Sequence, residues 1–211
     1  MAGRRKKDAR AEAPLGGEER KRHQLLELGL KLFGGHSYAE VSIETIAKKA
    51  GISRGLLYHY FGGKRDFYTE TVRYASTQLL SRLEPPMDLP QGERLRLGLD
   101  AYVDYAKRYA LPYRVLYRGG LGVDATVTPI LEATRDVIVD RILEGAGDRI
   151  PHDATSRAVI RAWIHFVEGA TIDWIERGEL TREQLVTLAA ITLENFRDRA
   201  LDELALKRSP H

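Results

Sequence analysis

The feature that most constrains this chain is a three-residue break between two short helical patterns. Ile43, Ile46, Ala47 and Ala50 fall at i, i+3, i+4 and i+7, one apolar face of an α-helix. Ser42 stands in front of them as an N-cap. Gly51 breaks the pattern, and a glycine there permits a backbone conformation that a Cβ resists. Ser53 caps a second helix, Arg54 to about Tyr60, which Gly62-Gly63 stops. Helix, tight turn and short second helix make a helix-turn-helix. Its expected shared core is Ile46, Ala47, Ala50, Ile52 and Leu57.

The rest of the chain also reads as helix, with no sustained period-2 alternation and no internal repeat. A first helix from near Glu18 carries Leu25, Leu26, Leu28, Leu32 and Phe33 and ends at Gly34-Gly35. A fourth helix runs from Lys64 to about Leu83. Pro85-Pro86 and Pro90 then mark a connector. A fifth helix, 92–110, has Leu95, Leu99, Tyr102, Val103 and Ala106 on one face, and a short sixth opens at Pro112 and ends at Gly119-Gly120. A seventh, 126–145, carries Val127, Ile130, Leu131, Thr134, Val137, Ile138 and Ile142. An eighth, 153–177, carries Ile160, Trp163, Ile164, Val167, Thr171 and Trp174, and a ninth runs from Thr181 to about residue 205. The expected fold is all-α, divided into a disordered basic arm (1–17), a three-helix unit (18–64) and a six-helix unit (65–211).

Charge is placed unevenly. Residues 1–70 hold 14 Lys/Arg against 9 Asp/Glu, whereas residues 71–211 hold 19 against 21. A basic head on a near-neutral body points to a polyanionic partner. Arg4, Arg5, Lys6, Lys7 and Arg10 fit general attraction to phosphate better than specific groove contacts. The absence of cysteine rules out disulfides and thiolate metal sites and fits a reducing, cytoplasmic setting. No apolar run reaches 18 residues, and no apolar stretch follows the basic N-terminus, so neither a membrane span nor a secretory signal is expected.

The stretch VSIETIAKKAGISRGLLYHYFGGKRDFY, residues 41–68, goes beyond a generic helix-turn-helix. Its second half, LLYHYFGGKRDFY, closely resembles the signature of the tetracycline-repressor (TetR) family, and the resemblance extends over about residues 18–70. It implies a ligand-responsive repressor that binds a palindromic operator as a homodimer and is released by a small-molecule, hydrophobic effector. The second helix would enter the major groove, about 12 Å wide, while the first braces it. Carried over position by position, Arg54 and Leu56 meet base edges, the arginine suiting guanine and the leucine a thymine methyl. Gly55 lets the backbone approach DNA. Tyr58, Tyr60 and Lys64 donate to phosphate, with Ser42, Thr45 and Ser53 as further backbone contacts. His59 is expected to pack on the first helix or stay exposed.

The six-helix unit should hold a ligand pocket and a dimer interface. Tyr102, Tyr105, Tyr109, Tyr113, Leu116, Tyr117, Trp163 and Phe166 are the pocket candidates, suited to a large hydrophobic or acyl effector. An aromatic stripe at helical spacing is equally what ordinary core looks like, so periodicity alone does not say which of them face a cavity. The ninth helix is apolar nearly all round and needs cover on both sides. Pairing of the eighth and ninth helices across a two-fold axis supplies it, with Trp174, Leu185, Leu188, Ala189, Thr192 and Phe196 at the interface.

Enzymatic function is not expected. There is no cysteine nucleophile, no G-x-S-x-G elbow and no P-loop, and the GGLG at 119–122 lacks the preceding strand and following Lys-Ser/Thr of a phosphate cradle. His165 and Glu168, three apart, have no matching pair for a bundle metal site, so neither metal nor cofactor is expected. A purely structural DNA-binding protein fits poorly, because dimerisation alone needs far less than the chain that follows the connector.

Overall fold

Capping chemistry sets the helix boundaries in the computed structural model, which describes residues 16–84, 86, 88–109 and 124–195. Helix α1 spans Gly17–Gly35, α2 Ile43–Ala50, α3 Arg54–Phe61 and α4 Lys64–Arg82. Then come α5 (Gln91–Arg108), α6 (Asp124–Ala146) with a 3-10 turn at Gly147–Arg149, α7 (Ala154–Arg177) and α8 (Arg182–Asn195). No strand occurs among the described residues. Ser42 Oγ accepts the Thr45 amide at 3.0 Å, and Ser53 Oγ accepts the Leu56 amide at 3.1 Å, so both short helices carry the expected N-caps. Gly51 closes α2 at φ 64° and Gly62 closes α3 at φ 67°, left-handed positions where a side chain is strained. The basic arm, the short helix expected after Pro112 and the chain from Phe196 onward lie outside the described residues.

Two apolar cores form. The N-terminal one gathers Leu25, Leu26, Phe33, Ile46, Leu57 and Phe61 from α1–α3 with Phe67, Tyr68 and Val72 of α4. The C-terminal one gathers Leu99, Tyr102, Val103, Val139, Leu143, Ile160, Trp163, Leu185 and Val186 with Leu79 of α4. Helix α4 thus feeds both. So does α6, whose Val127, Ile130 and Leu131 join the first core while Val139 and Leu143 join the second. The division expected after residue 64 falls at the start of α4, whose first half packs with the N-terminal helices.

One expected face is rotated. Val137, read as buried, is 36 % exposed, and Val139 and Leu143 take the interior positions. Three neighbouring apolar residues, Val137–Val139, leave the phase of this helix open in the sequence. Polar ties then fix α6 against α7: Asp136 meets Arg161, Asp140 meets Arg157, and Arg135 meets Glu168. Only the last is interior, with side chains 9 % and 6 % exposed. A single N–H, Arg135 Nε, is shared by both Glu168 oxygens at 3.1 and 3.2 Å, and Arg135 Nη1 reaches Glu132 at 2.6 Å. This sharing is weaker than a two-pronged fork, so burial dominates and pushes the Glu168 carboxyl up to about 8.

Two outcomes follow from this packing. A Cβ on Gly29 would stand 2.4 Å from Thr71 Oγ1 and 3.0 Å from the Phe67 ring. Thr71 is buried and its hydroxyl donates to the Phe67 carbonyl at 2.7 Å, so it has little freedom to yield. Gly29→Ala is therefore expected to cost about 1–3 kcal/mol by overpacking, read as a lower urea midpoint; an unchanged midpoint would mean α1 and α4 separate freely. For Glu168, the unfolded chain titrates near 4.5 and the folded one near 8. Between those values the folded state binds more protons, so stability falls as pH rises through the window, by up to roughly 5 kcal/mol less the pull of Arg135. Denaturation at pH 5 and 8.5 should show the fall, and Glu168→Gln should flatten it. A wild-type profile that is already flat would mean Arg135 keeps the carboxylate charged throughout.

Candidate nucleic-acid interface and interior cavities

Helix α3 is eight residues long and points its sides in two directions. Leu57 and Phe61 are buried against the N-terminal core. Either side of Leu57, Leu56 and Tyr58 are 39 % and 49 % exposed, large apolar surfaces left outside by a helix with room to bury only one face. Arg54 is also outward and donates to Glu44 Oε1 of α2 at 3.1 Å. An exposed pair of this kind is worth about 0–1 kcal/mol, so a base edge can displace Glu44. Gly55 is exposed, and a Cβ there would meet only Ser53 Oγ at 3.8 Å. Nothing in the chain itself demands glycine at that place.

The phosphate-donor candidates differ in setting. Tyr58 projects, whereas Tyr60 is half-buried, packed on the N-terminal core and in ring contact with His59 and Phe61. Lys64 begins α4 with its ammonium 4.2 Å from the centre of the Tyr38 ring. Burial lowers its pKa, while the ring face stabilises the charged form. Ser42 and Ser53 are engaged as caps, and Ser42 Oγ lies 3.0 Å from Thr45 Oγ1. His59 is exposed, with Nε2 4.0 Å from Glu18 of α1. Arg54, Gly55, Leu56 and Tyr58 are thus all exposed on α3.

The C-terminal unit encloses a cavity of about 290 Å³ between α5, α6, α7 and the end of α8. Tyr102 and Trp163 line it, as expected of them. Tyr105 and Tyr109 do not: they border a second, smaller cavity of about 50 Å³ that also touches Leu30, Phe33, Tyr68 and Thr71. The Tyr105 hydroxyl donates to the Ala75 carbonyl of α4 at 2.8 Å, and burial raises its pKa well above the ordinary value. Phe166 lines neither cavity and packs on the C-terminal core. Tyr113, Leu116 and Tyr117 lie outside the described residues. The volume sits at the small end of ligand pockets, not at the size expected for a large effector.

Sequence reasoning missed the polar half of the cavity: Arg94, Arg141, Arg149 and Glu168, and the glycines Gly98 and Gly145 that open space in it. Residues at i, i+4 and i+7 of one helix signal a face, but no single-chain pattern signals that α5 and α6 turn arginines toward a common mouth. Glu168 and Ile138 border both cavities. His165 Nδ1 lies 3.3 Å from Glu168 Oε2, and burial lowers the imidazole pKa.

The expected dimer residues divide. Leu185 and Ala189 are buried in the core of the chain itself, which corrects their placement at an interface: α8 docks on α5 and α7, and that contact consumes one side of it. Thr192 Oγ1 lies 3.2 Å from Trp163 Nε1, which also donates to the Ala189 carbonyl at 2.9 Å. Trp174 is half-buried and donates to the Leu180 carbonyl at 2.9 Å. Leu188 and Ile191 form the outward side, 39 % and 49 % exposed, and Phe196 lies outside the described residues.

Among the described residues no helix is long and apolar enough to cross a membrane, and no group of three or more His, Cys, Asp and Glu side chains is placed to hold a metal. Residues 25–71 match the family model described as bacterial regulatory proteins of the tetR family, and residues 91–193 match the tetracyclin repressor-like C-terminal domain. A tetR-family transcriptional regulator from Streptomyces coelicolor is 32 % identical, over 86 % of this chain and 80 % of that one, with a TM-score of 0.74. The transcriptional activator FasR of Mycolicibacterium smegmatis is 26 % identical over 148 residues, 64 % of this chain and 68 % of FasR. The transcriptional regulator BetI of Agrobacterium fabrum is 29 % identical over 101 residues, about half of each protein. With its helix-turn-helix and its C-terminal domain both matched, the chain belongs to the TetR family and is a DNA-binding transcriptional regulator.

Proposed function

We propose that this regulator is a ligand-responsive repressor: a homodimer that binds a palindromic operator and leaves it when the cavity of about 290 Å³ is filled. The observation that carries the reading is the sharing of α4 and α6 between the two cores. A change in the cavity wall at Ile138 or Glu168 is transmitted along α6 to Val127, Ile130 and Leu131, which pack beside Phe67 and Tyr68 beneath α3. Helix α4 then tilts and changes the separation of the two recognition helices. A difference of about 1–3 kcal/mol between the states lowers operator affinity 5- to 150-fold. Dimerisation uses the outward Leu188 and Ile191 of α8 with the outer side of α7, and sets the two α3 helices about one turn of DNA apart, near 34–36 Å.

On DNA, Arg54 exchanges Glu44 for a guanine edge, Leu56 meets a thymine methyl, and Tyr58 and Lys64 hold phosphate. Ser42, Thr45, Ser53 and Tyr60 add backbone contacts through hydroxyls and helix N-termini. FasR carries the name of an activator, so the direction of control is read in the cell: deletion should raise transcription from the bound promoter, and a fall would replace repression with activation.

Binding to the gene's own upstream DNA, followed by fluorescence anisotropy across a salt series, tests the reading. Tight, sequence-selective binding that weakens steeply with salt is expected, with Arg54→Ala/Tyr58→Ala losing at least tenfold; binding indifferent to sequence and to both residues would sink it. Gly55→Ala separates fold from function. It should leave stability unchanged or raise it by about 0.5–1 kcal/mol, yet weaken operator binding because the added methyl meets DNA. Full affinity in that variant would remove Gly55 from the interface.

A further inference from the structure

We propose that the cavity between α5 and α6 receives a small anionic amphiphile, whose charged head is held at the mouth by Arg94. The inference deepens the effector reading above and rests on that cavity being the effector site.

Arg94 stands in the first turn of α5, and its guanidinium lies across Gly145 near the end of α6. A Cβ on Gly145 would be 2.5 Å from Arg94 Nη2, so the glycine makes the room that the arginine occupies. The Nε of Arg94 is shut off from solvent and has no hydrogen-bond partner, and no carboxylate pairs with this guanidinium among the described residues. Three other arginines near the cavity or on α5–α8 are paired with carboxylates. Arg135 has Glu168 and Glu132, Arg141 has Glu84 and the Leu80 carbonyl, and Arg182 has Asp100 and Asp104. A guanidinium with a shielded, unanswered N–H is placed to be completed by an anion.

The balance of charge around the cavity agrees. Arg141 is neutralised by Glu84, and Glu168 is engaged by Arg135. Arg149 also lines the mouth, with Nε reaching only the Ala146 carbonyl at 3.4 Å. Against Arg94 and Arg149 stands one uncommitted acid, the exposed Glu194. The mouth therefore carries net positive charge.

The body of the cavity selects the other end of the ligand. Leu99, Ile138, Ile142, Ile164 and Val167 line it. Trp163 contributes its ring and no donor, because its N–H is committed to α8. At Gly98, in the middle of α5, a Cβ would find nothing within 4 Å, so the absent side chain leaves space for a chain of carbons. A volume of about 290 Å³ fits a small ligand. Head and body together describe a short alkyl chain ending in a carboxylate or a phosphate, bound by charge-assisted hydrogen bonds at one end and apolar burial along the rest.

Isothermal titration calorimetry of the full-length protein without DNA tests this, with sodium octanoate, monooctyl phosphate, 1-octanol and octylammonium chloride as probes. At least one anionic probe should bind ten times or more tighter than octanol, with octylammonium weakest; preference between octanoate and octyl phosphate identifies the head group. Arg94→Ala should weaken the anionic probe about ten- to a hundredfold and leave octanol unchanged, Arg94→Lys should restore part of the loss, and Gly98→Leu should abolish binding by filling the cavity. Octanol or octylammonium binding as tightly as both anions, an Arg94→Ala variant with unaltered octanoate affinity, or binding that survives Gly98→Leu would overturn the proposal. Failure of the effector reading looks different: the anion binds through Arg94, yet operator affinity does not change when it does.

Discussion

An isolated helix of eight residues does not hold its shape in water, because nucleation costs more than so few hydrogen bonds return. The second helix of the helix-turn-helix, α3, is of this length. Its stability is borrowed. Leu57 and Phe61 anchor it to the N-terminal core, Ser53 satisfies an amide at its front, and Gly62 lets the backbone turn away at its end. Because the underside is fixed in this way, the outer side is free to leave Leu56 and Tyr58 in water, surfaces that a helix stabilised only by itself would have no reason to keep exposed.

The same economy explains why the two units are coupled. The N-terminal core is too small to be closed by α1–α3 alone, and Phe67, Tyr68 and Val72 of α4 and Val127 of α6 complete it. The helices that complete it continue into the second core, where Leu79, Val139 and Leu143 are buried. Packed interiors do not deform continuously. A shift of α6 in one core therefore appears in the other, and Glu168 sits where that shift would start, on the wall between the two cavities.

Buried charge in this fold falls into two kinds. Arg135 and Glu168 answer each other across α6 and α7, an arrangement that costs desolvation and returns a fixed geometry. Arg94 has no such answer: its Nε is buried without a hydrogen-bond partner. The exposed Arg54–Glu44 pair is a third case, cheap to break and therefore compatible with recognition.

The sequence by itself determined that the described chain is helical and where its short helices begin and end. Residues 42–62 are legible because capping serines, left-handed glycines and i, i+3, i+4 spacing act within one turn of chain, and Ser42, Gly51, Ser53 and Gly62 behave in the fold as local chemistry requires. The thirteen residues resembling the family signature, Leu56 to Tyr68, carried the rest of that reading. What only the tertiary structure decided is which side of each long helix meets which neighbour. Val137 faces out and Val139 in, Leu185 and Ala189 turn to their own subunit while Leu188 and Ile191 face away, and Tyr105 and Tyr109 border the inter-domain cavity instead of the larger one. In each case the apolar residues outnumber one face, so periodicity leaves the phase undetermined and the packing partner chooses it. The mouth of the cavity lies further still from the sequence: Arg94 and Gly145 are fifty-one positions apart, and only the tertiary fold brings the guanidinium against a residue with no side chain to exclude it.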